Sequence, residues 1–319
     1  MRTITIENKR ILIVGFNVGY AGRFVNGPGI SLYNFCKILS KNKVQYICSS
    51  CLDPRHFRND INYVGFHGLS FIKNKDFDAI HIWSELSDYN LSILKKFKAK
   101  MLILGPNLLD CVNIDKEKSF LNKVKKLDYE KITFFSVNNQ ISDEIYKNHN
   151  VKSETLCVGP NFEVWKDDSD KKEFILWKGN SNQYVKNVKQ AFEIKYKLKK
   201  YKFIIMGHPN PYSYENHIEI AKKAKIYFST SISETKSNTV AEQMACGTPC
   251  ITNHNIFFKG LDKKTGIITN GTTDSYCKAI DEIMSNKSLY LSMRKHSSVY
   301  CREYFNHKEM LESYLRKIY

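Results

Sequence analysis

Two carboxylates, Glu234 and Glu242, stand with seven residues between them in a stretch, 231–252, that is rich in hydroxyls and amides. Lys236, Ser237, Asn238 and Thr239 lie in the interval. A carboxylate accepts hydrogen bonds from neighbouring hydroxyls, so Glu234 suits a sugar and Glu242 a ribose diol. The residues between them suit an anion. A helix beginning there offers unpaired N–H groups and the positive end of its dipole, which favour a phosphate. One short segment can therefore hold sugar, diphosphate and ribose together. The same residues admit a purely local reading. Thr239-Val240-Ala241-Glu242 has the spacing of a capping box, in which Glu242 would bond back to the cap N–H, and Glu234 would then be a solvated loop carboxylate.

The elements that must position these groups are readable. An apolar strand at 226–228 leads in, and a helix is expected over 238–246, stopped by Gly247 and Pro249. A second strand, 249–252, starts at once. The polar loop thus sits at the carboxyl end of a strand, the edge where open α/β sheets bind ligands.

The segment resembles the Glu-x7-Glu motif of retaining glycosyltransferases of the GT-B fold, in glycosyltransferase family 4 and its relatives. There the second Glu continues as Glu-Ala-Met-Ala-x-Gly-x-Pro-Val-Val; here the chain reads Glu242-Gln243-Met244-Ala245-Cys246-Gly247-Thr248-Pro249-Cys250-Ile251. The usual Phe-Gly after the first Glu is replaced by Thr235-Lys236. The resemblance implies two Rossmann-like doubly wound domains with an interdomain cleft. It also implies transfer of a sugar from a nucleotide diphosphate sugar with retention of configuration, and no metal or other cofactor. Glu234 would hold the donor sugar as the catalytic-site carboxylate. Glu242 would hold the ribose, and Lys186 with Ser237, Asn238 and Thr239 the diphosphate. Lys186 matches the Lys of the family's Gly-Arg…Lys-Gly element, whereas the Arg position holds Asn180 and leaves Lys178 as the substitute cation.

Upstream, 10–16 is an apolar run ending near Gly15, as in a buried parallel strand. A Gly-rich stretch follows, then a helix expected over 30–39 and a strand over 44–48. Gly15, Gly19 and Gly22 lack the order and the closing acidic residue of a dinucleotide fingerprint. Gly27-Pro28-Gly29 resembles the Gly-rich loop of the first GT-B domain, where Gly lets a backbone N–H approach phosphate or sugar, so Gly27 and Gly29 are candidate donor contacts. A tight turn before a helix, with Pro28 in its first turn, is the local alternative. Arg23 is a candidate acceptor contact. His81, in a strand expected over 77–83, reads as an interior histidine rather than a base. Relatives carry a His at the end of the next strand, 100–104; here Gly105 and Asn107 stand there, and Asn107 is the candidate cleft residue. Strand 131–137, helix 140–149 and a short strand at 154–158 complete an alternating first domain.

The polar stretch 159–172 reads as a linker. Beyond it the pattern gives a strand (173–177), a helix from 186 to about 198, a strand (201–206), a helix (215–223), the segment described above, a strand (266–269), a helix (275–284) and an amphipathic helical run over 289–319. The loop 209–214 has an aromatic suited to stacking on a nucleotide base. The expected domains are 1–160 on the acceptor side, 161–300 for the nucleotide sugar, and a C-terminal helix, 301–319, crossing back to the first.

Composition sets the partners. The 319 residues carry 49 Lys and Arg against 32 Asp and Glu, a formal charge of +17. Such a surplus favours polyanions, either nucleic acid or an anionic membrane surface, although a Lys-rich surface also serves simple solvation. The nine cysteines are scattered and odd in number, and the lone Cys48-x-x-Cys51 has no second pair at metal spacing. With no long apolar run, a reduced, cytoplasmic setting follows, with peripheral membrane attachment as a variant. Among polyanionic acceptors, DNA carrying hydroxymethylated bases is preferred, as in phage enzymes that glycosylate such bases. A lipid-linked or surface glycan at an anionic membrane is the alternative. A nucleotide-sugar epimerase and a non-catalytic binding module are the rivals of other kinds.

Overall fold

The computed structural model describes residues 10–15, 27–50, 61–64, 69, 72, 76–83, 88–106, 124, 127, 129–168, 173–207, 214–234, 236–254, 261 and 264–318. The chain divides into two compact units: Met1–Val158 with His307–Tyr319, and Gly159–Asn306.

The first unit is built on a parallel sheet of seven strands among the described residues: β1 (Arg10–Gly15), β2 (Gln45–Ser50), β3 (Tyr63–Val64), β4 (Asp76–Ile82), β5 (Lys98–Leu104), β6 (Lys131–Ser136) and β7 (Ser153–Thr155). Their order is β3-β2-β1-β4-β5-β6-β7. The helices are α1 (Gly27–Lys41), α2 (Asp88–Lys96) and α3 (Asn139–His149). Strand alternation between two covered faces explains why β1 is apolar from Ile11 to Val14. Ile11 and Ile13 enter one core with Leu32, Phe35 and Leu39 of α1; Leu12 and Val14 enter the other with Ile93 of α2 and Ile141 of α3. Both faces are covered, as a doubly wound sheet requires.

His81 of β4 lies at the bottom of the first core. Its Nε2 is 2.7 Å from the Gly105 carbonyl and its Nδ1 2.9 Å from the Tyr314 hydroxyl. A carbonyl can only accept, so Nε2 carries the proton and Nδ1 accepts from the tyrosine. Burial, opposed by the Gly105 bond, lowers the His81 pKa from 6.5 to about 4. The folded protein therefore binds this proton less readily than the unfolded chain. His81 contributes fully above pH 6.5, and the contribution, about 3 kcal/mol, is lost as pH falls from 6.5 towards 4. Urea unfolding at pH 7 and pH 4.5 is expected to show that loss in the first unit, and His81→Asn to flatten it.

The second unit carries a five-stranded parallel sheet in the order β12-β11-β10-β8-β9. The strands are β8 (Phe174–Lys178), β9 (Lys202–Met206), β10 (Ile226–Phe228), β11 (Cys250–Asn253) and β12 (Gly266–Thr269). Between them run α4 (Val188–Lys197), α5 (Tyr214–Lys222), α6 (Asn238–Ala245) and α7 (Thr273–Ser285), followed by α8 (Lys287–Tyr304). Ile175 and Trp177 of β8 pack with Ala191 and Ile194 of α4 and Ile280 of α7. Leu176 and Lys178 alternate to the opposite face. The chain leaves β8 towards β9 on one side and returns as β10 on the other, so the strand order reverses between β8 and β10.

Two expectations are corrected here. The helical run expected over 289–319 is broken. α8 ends at Tyr304, the Phe305 N–H bonds back to the Cys301 carbonyl at 3.0 Å, and a separate helix, α9 (His307–Ile318), starts beyond Asn306. Phe305 is 1% exposed, and Leu311, Tyr314 and Leu315 of α9 belong to the core of the first unit. The described part of the stretch read as a linker, 159–168, belongs to the second unit. Residues 161–168 fold onto the second unit, Trp165 is fully buried against the His217 ring, and Asp167 pairs with Arg294 through two bonds of 3.0 and 2.8 Å.

Candidate functional site

The strand order reverses between β8 and β10, and the carboxyl ends of the strands at such a reversal are where open α/β sheets take ligands. Phe228 is in register with Trp177, so the segments leaving the two strands begin side by side. After β8 comes Gly179. A Cβ there would stand 2.7 Å from the Trp177 ring and 3.2 Å from the Lys186 Cβ, so only glycine leaves room. Gly207, after β9, has φ +90, and a Cβ on it would stand 2.1 Å from the Gly179 carbonyl oxygen.

A 3-10 turn, Tyr184–Lys186, precedes α4, and Asn187 between them has φ 49. Asn tolerates the left-handed conformation better than most residues, which accounts for its standing where the resembling element has Gly. Thr230 ties the two segments together. Its hydroxyl accepts from Trp177 Nε1 at 2.9 Å and lies 2.9 and 3.0 Å from the carbonyls of Lys186 and Asn187. The Ile232 N–H adds a bond to the Val185 carbonyl at 2.9 Å. Asn253 Nδ2 and the Tyr276 hydroxyl hold the Ser231 and Ser229 carbonyls at 2.9 and 2.6 Å.

The result is a direct ion pair between Lys186 and Glu234, with the Ser231 hydroxyl also donating to Glu234 Oε1 at 3.0 Å. The two side chains are 24% and 14% exposed, enough for a ligand to reach them. Two residues assigned on sequence to diphosphate and sugar are thus brought together.

Beside them α6 begins. Ser237 is its N-cap and accepts from the Val240 N–H at 3.3 Å. The capping box over 239–242 does not form: the cap lies two residues earlier, and Glu242 stands in the second turn, 1% exposed. Asn238 and Thr239 occupy the first turn, whose N–H groups have no partner within the helix. Every residue from Val240 to Ala245 is buried, so this short helix is held by packing on all sides.

Neither Glu242 oxygen has a hydrogen-bond partner among the described residues. His217 Nε2 of α5 is 3.9 Å from Oε2, and the other ring nitrogen, Nδ1, is 2.9 Å from the Lys178 ammonium. Burial raises the Glu242 pKa from 4.5 to about 7, against the pull of Lys178 and Lys236. Burial also lowers Lys178 and holds His217 well below its ordinary value, with the Lys178 charge adding to the latter. His217 was missed on sequence. The signal was its spacing: with Ala221, fully buried one turn on, it marks the inward stripe of α5.

The remaining candidates lie in the first unit or outside the described residues. Gly27, Pro28 and Gly29 are the first residues of α1 in the first unit, the helix-start reading of that tripeptide. Arg23, Gly19, Gly22, Cys51, Asn107, Thr235 and most of the loop 209–214 lie outside the described residues. Among the described residues no three His, Cys, Asp or Glu side chains converge as a metal site, and no helix is long and apolar enough to cross a membrane.

Residues 209–298 match the family model described as glycosyl transferases group 1. The chain carries a glycosyl transferase group 1 domain. That match contains Glu234, His217 and Glu242, while Lys178 and Lys186 lie before it. The transferase also resembles solved structures along nearly its whole length. A glycosyltransferase from Rickettsia africae superposes with a TM-score of 0.72 at 15% identity, over 97% of each chain. Sucrose-phosphate synthase from Thermosynechococcus elongatus gives 0.71 at 11%, over 98% of this chain and 99% of that one. Anabaena HepE, solved with UDP and glucose, gives 0.72 at 8%, again over 98% and 99%. At such identities the likeness establishes the fold, which is GT-B. No curated protein matches the sequence.

The outer face of α4 has a different character. Phe192 and Tyr196 are 38% and 70% exposed. With Tyr201, Glu193 and Lys189, Lys195, Lys197 and Lys199 they line an open groove of about 950 Å³, where Lys197 pairs with Asp274 at 2.6 Å. The Lys199 ammonium sits 4.0 Å above the Tyr196 ring.

Proposed function

We propose that this transferase moves a sugar from a nucleotide diphosphate sugar to a hydroxyl of a polyanionic acceptor, with retention of configuration and without a metal. The observation that carries the reading is the Lys186–Glu234 pair at the strand-order reversal, beside the first turn of α6. In this reading the donor diphosphate lies between the Lys186 ammonium and the N–H groups of Ser237, Asn238 and Thr239. As the sugar–phosphate bond breaks, negative charge collects on the leaving diphosphate, and fixed positive groups there stabilise that charge more than the ground state. Glu234 leaves Lys186 to the phosphate and accepts from the sugar hydroxyls. Glu242 accepts from the ribose diol. Anabaena HepE has been solved with UDP-glucose, which supports the donor class.

For the acceptor, the formal charge of +17 and the aromatic-lysine face of α4 favour a polyanion, and DNA bearing hydroxymethylated bases comes first. The test is release of free nucleoside diphosphate from a panel of UDP-, GDP- and ADP-sugars, with and without such DNA. Release stimulated by DNA, with a matching mass gain on its nucleosides, is expected; slow release indifferent to DNA would turn the acceptor towards glycans at a membrane. The surface has its own measurement. Affinity for duplex DNA is expected to fall with salt, and Lys195→Glu or Lys199→Glu to reduce the log–log slope by about 1 each. Binding to anionic vesicles, with none to DNA, would replace DNA by the membrane.

A further inference from the structure

The group around Glu242 reaches beyond the Glu234–Glu242 segment to three other elements. A carboxylate with both oxygens buried and without hydrogen bonds costs several kcal/mol if it is charged. Glu242 is in that position, 1% exposed, with no partner for either oxygen among the described residues. The groups around it come from four elements. Lys178 ends β8, His217 lies on α5, Lys236 precedes α6 and Tyr227 lies on β10; Lys186 acts on Lys178 in turn. Trp165 closes the far side of the imidazole, with ring centroids 5.2 Å apart. The Lys178 ammonium donates to His217 Nδ1 at 2.9 Å, so the ring proton is on Nε2, aimed at Glu242 Oε2 but 3.9 Å away. The line Lys178–His217–Glu242 is therefore made at one end and open by about an ångström at the other.

We propose that Lys178 and His217 are positioning residues of the donor site: the packing over Glu242, closed to solvent in the free protein, opens to admit a ribose diol, and the His217 N–H then closes onto the carboxylate, so that nucleotide-sugar binding expels a proton from Glu242 to solvent. This rests on the donor reading above. The balance is simple: the carboxyl O–H bond breaks and its proton leaves to solvent. The resulting carboxylate accepts from the two ribose hydroxyls and from His217 Nε2–H. The rise of the Glu242 pKa to about 7 agrees with a neutral carboxyl in the free protein near neutrality. The sign follows. Below about pH 7 the donor must displace a proton and binds more weakly; above it the site is already ionised.

Calorimetry of UDP-glucose binding to the full chain tests this, because its diphosphate has no ionisation of its own near neutrality. GDP-mannose and ADP-glucose are run alongside. Expected are release of close to one proton at pH 6, measured across buffers of different ionisation enthalpy, little release at pH 8, and binding about tenfold weaker at pH 6 than at pH 8. Glu242→Gln should abolish the proton release. Lys178→Met should move the pH midpoint upward, since a cation that favours ionised Glu242 is gone. His217→Asn, which keeps an N–H, should bind more tightly than His217→Leu. Binding of a nucleotide sugar with no proton release and no pH dependence would overturn the proposal and leave the donor site standing. A uniform loss of affinity in the Lys178 and His217 variants, with the midpoint unmoved, would reduce them to structural residues. If none of the three nucleotide sugars binds at any pH, the donor reading itself fails.

Discussion

Glu234→Ala is expected to lower turnover of the nucleotide sugar by about 10²–10³-fold while the protein stays folded. The fold is insensitive because the Glu234 carboxylate holds a side chain, Lys186, and no part of the backbone. Its contacts are the Lys186 ammonium and the Ser231 hydroxyl, whereas the loop itself is fixed by bonds to backbone carbonyls from the Thr230 hydroxyl, the Ile232 N–H and the Asn253 amide. The chemistry is sensitive because removal of the carboxylate takes away the acceptor for the sugar hydroxyls and also frees Lys186 to adopt other rotamers. Lys186→Met should cost a similar factor by removing charge from the leaving diphosphate. Because the two side chains touch, their effects should not add: the double variant should be little worse than the poorer single one. Wild-type turnover in Glu234→Ala, with an unchanged thermal transition, would refute the site. Strict multiplication of the two effects would show that the pair does not act as a unit.

That pair also marks where the sequence stopped being informative. The strands were legible because a parallel sheet covered on both faces demands continuous apolar runs, and 226–228 and 266–269 match the observed strands residue for residue. The end of α6 was legible because Gly247, at φ +67, and Pro249 are local stop signals. Lys186 and Glu234 are far apart in sequence and belong to loops after different strands. Their meeting depends on Thr230 clamping the carbonyls of 186 and 187, which no spacing rule announces. The buried relay was hidden for a similar reason. Lys178 reads as a substitute cation for the diphosphate and His217 as one residue of an amphipathic helix, and only the packing of β8 beside α5 and α6 joins them to Glu242. Composition misled at 159–172, where acidic and basic residues imply a solvated linker. Single residues decided otherwise: Trp165 is buried, and Asp167 and Asp168 are spent on Arg294, Lys222 and Lys166. The break at Phe305 was likewise invisible because the amphipathic pattern runs on through it. α8 presents Tyr290 and Met293 to the core of the second unit, and α9 presents Leu311 and Tyr314 to that of the first.

Tyr314→Ala is the substitution expected to cost most in stability. Tyr314 is fully buried on α9, edge-on to Phe35 at 4.9 Å, stacked on His81 at 5.5 Å and within 5.7 Å of Phe135. Its removal opens a cavity between α1, β4 and β6, at about 3–5 kcal/mol for an aromatic side chain. It also strips His81 Nδ1 of the hydroxyl it accepts from, and an orphaned buried acceptor adds about 1–3 kcal/mol. Tyr314→Phe separates the two contributions, because it keeps the ring and loses only the hydroxyl. The chain has two cores that need not unfold together, so the measurement is urea unfolding followed by probes in each unit. The transition of the first unit should move to lower urea by several kcal/mol in Tyr314→Ala and by about 1–3 kcal/mol in Tyr314→Phe. That of the second should stay where it is, since α9 contributes nothing to the core that holds β8 and β10. Loss of the His81 contribution below pH 6.5 should also change in the phenylalanine variant, because the imidazole is then free to take a proton on Nδ1. A shift under about 1 kcal/mol in Tyr314→Ala would mean that α9 is not part of the core of the first unit.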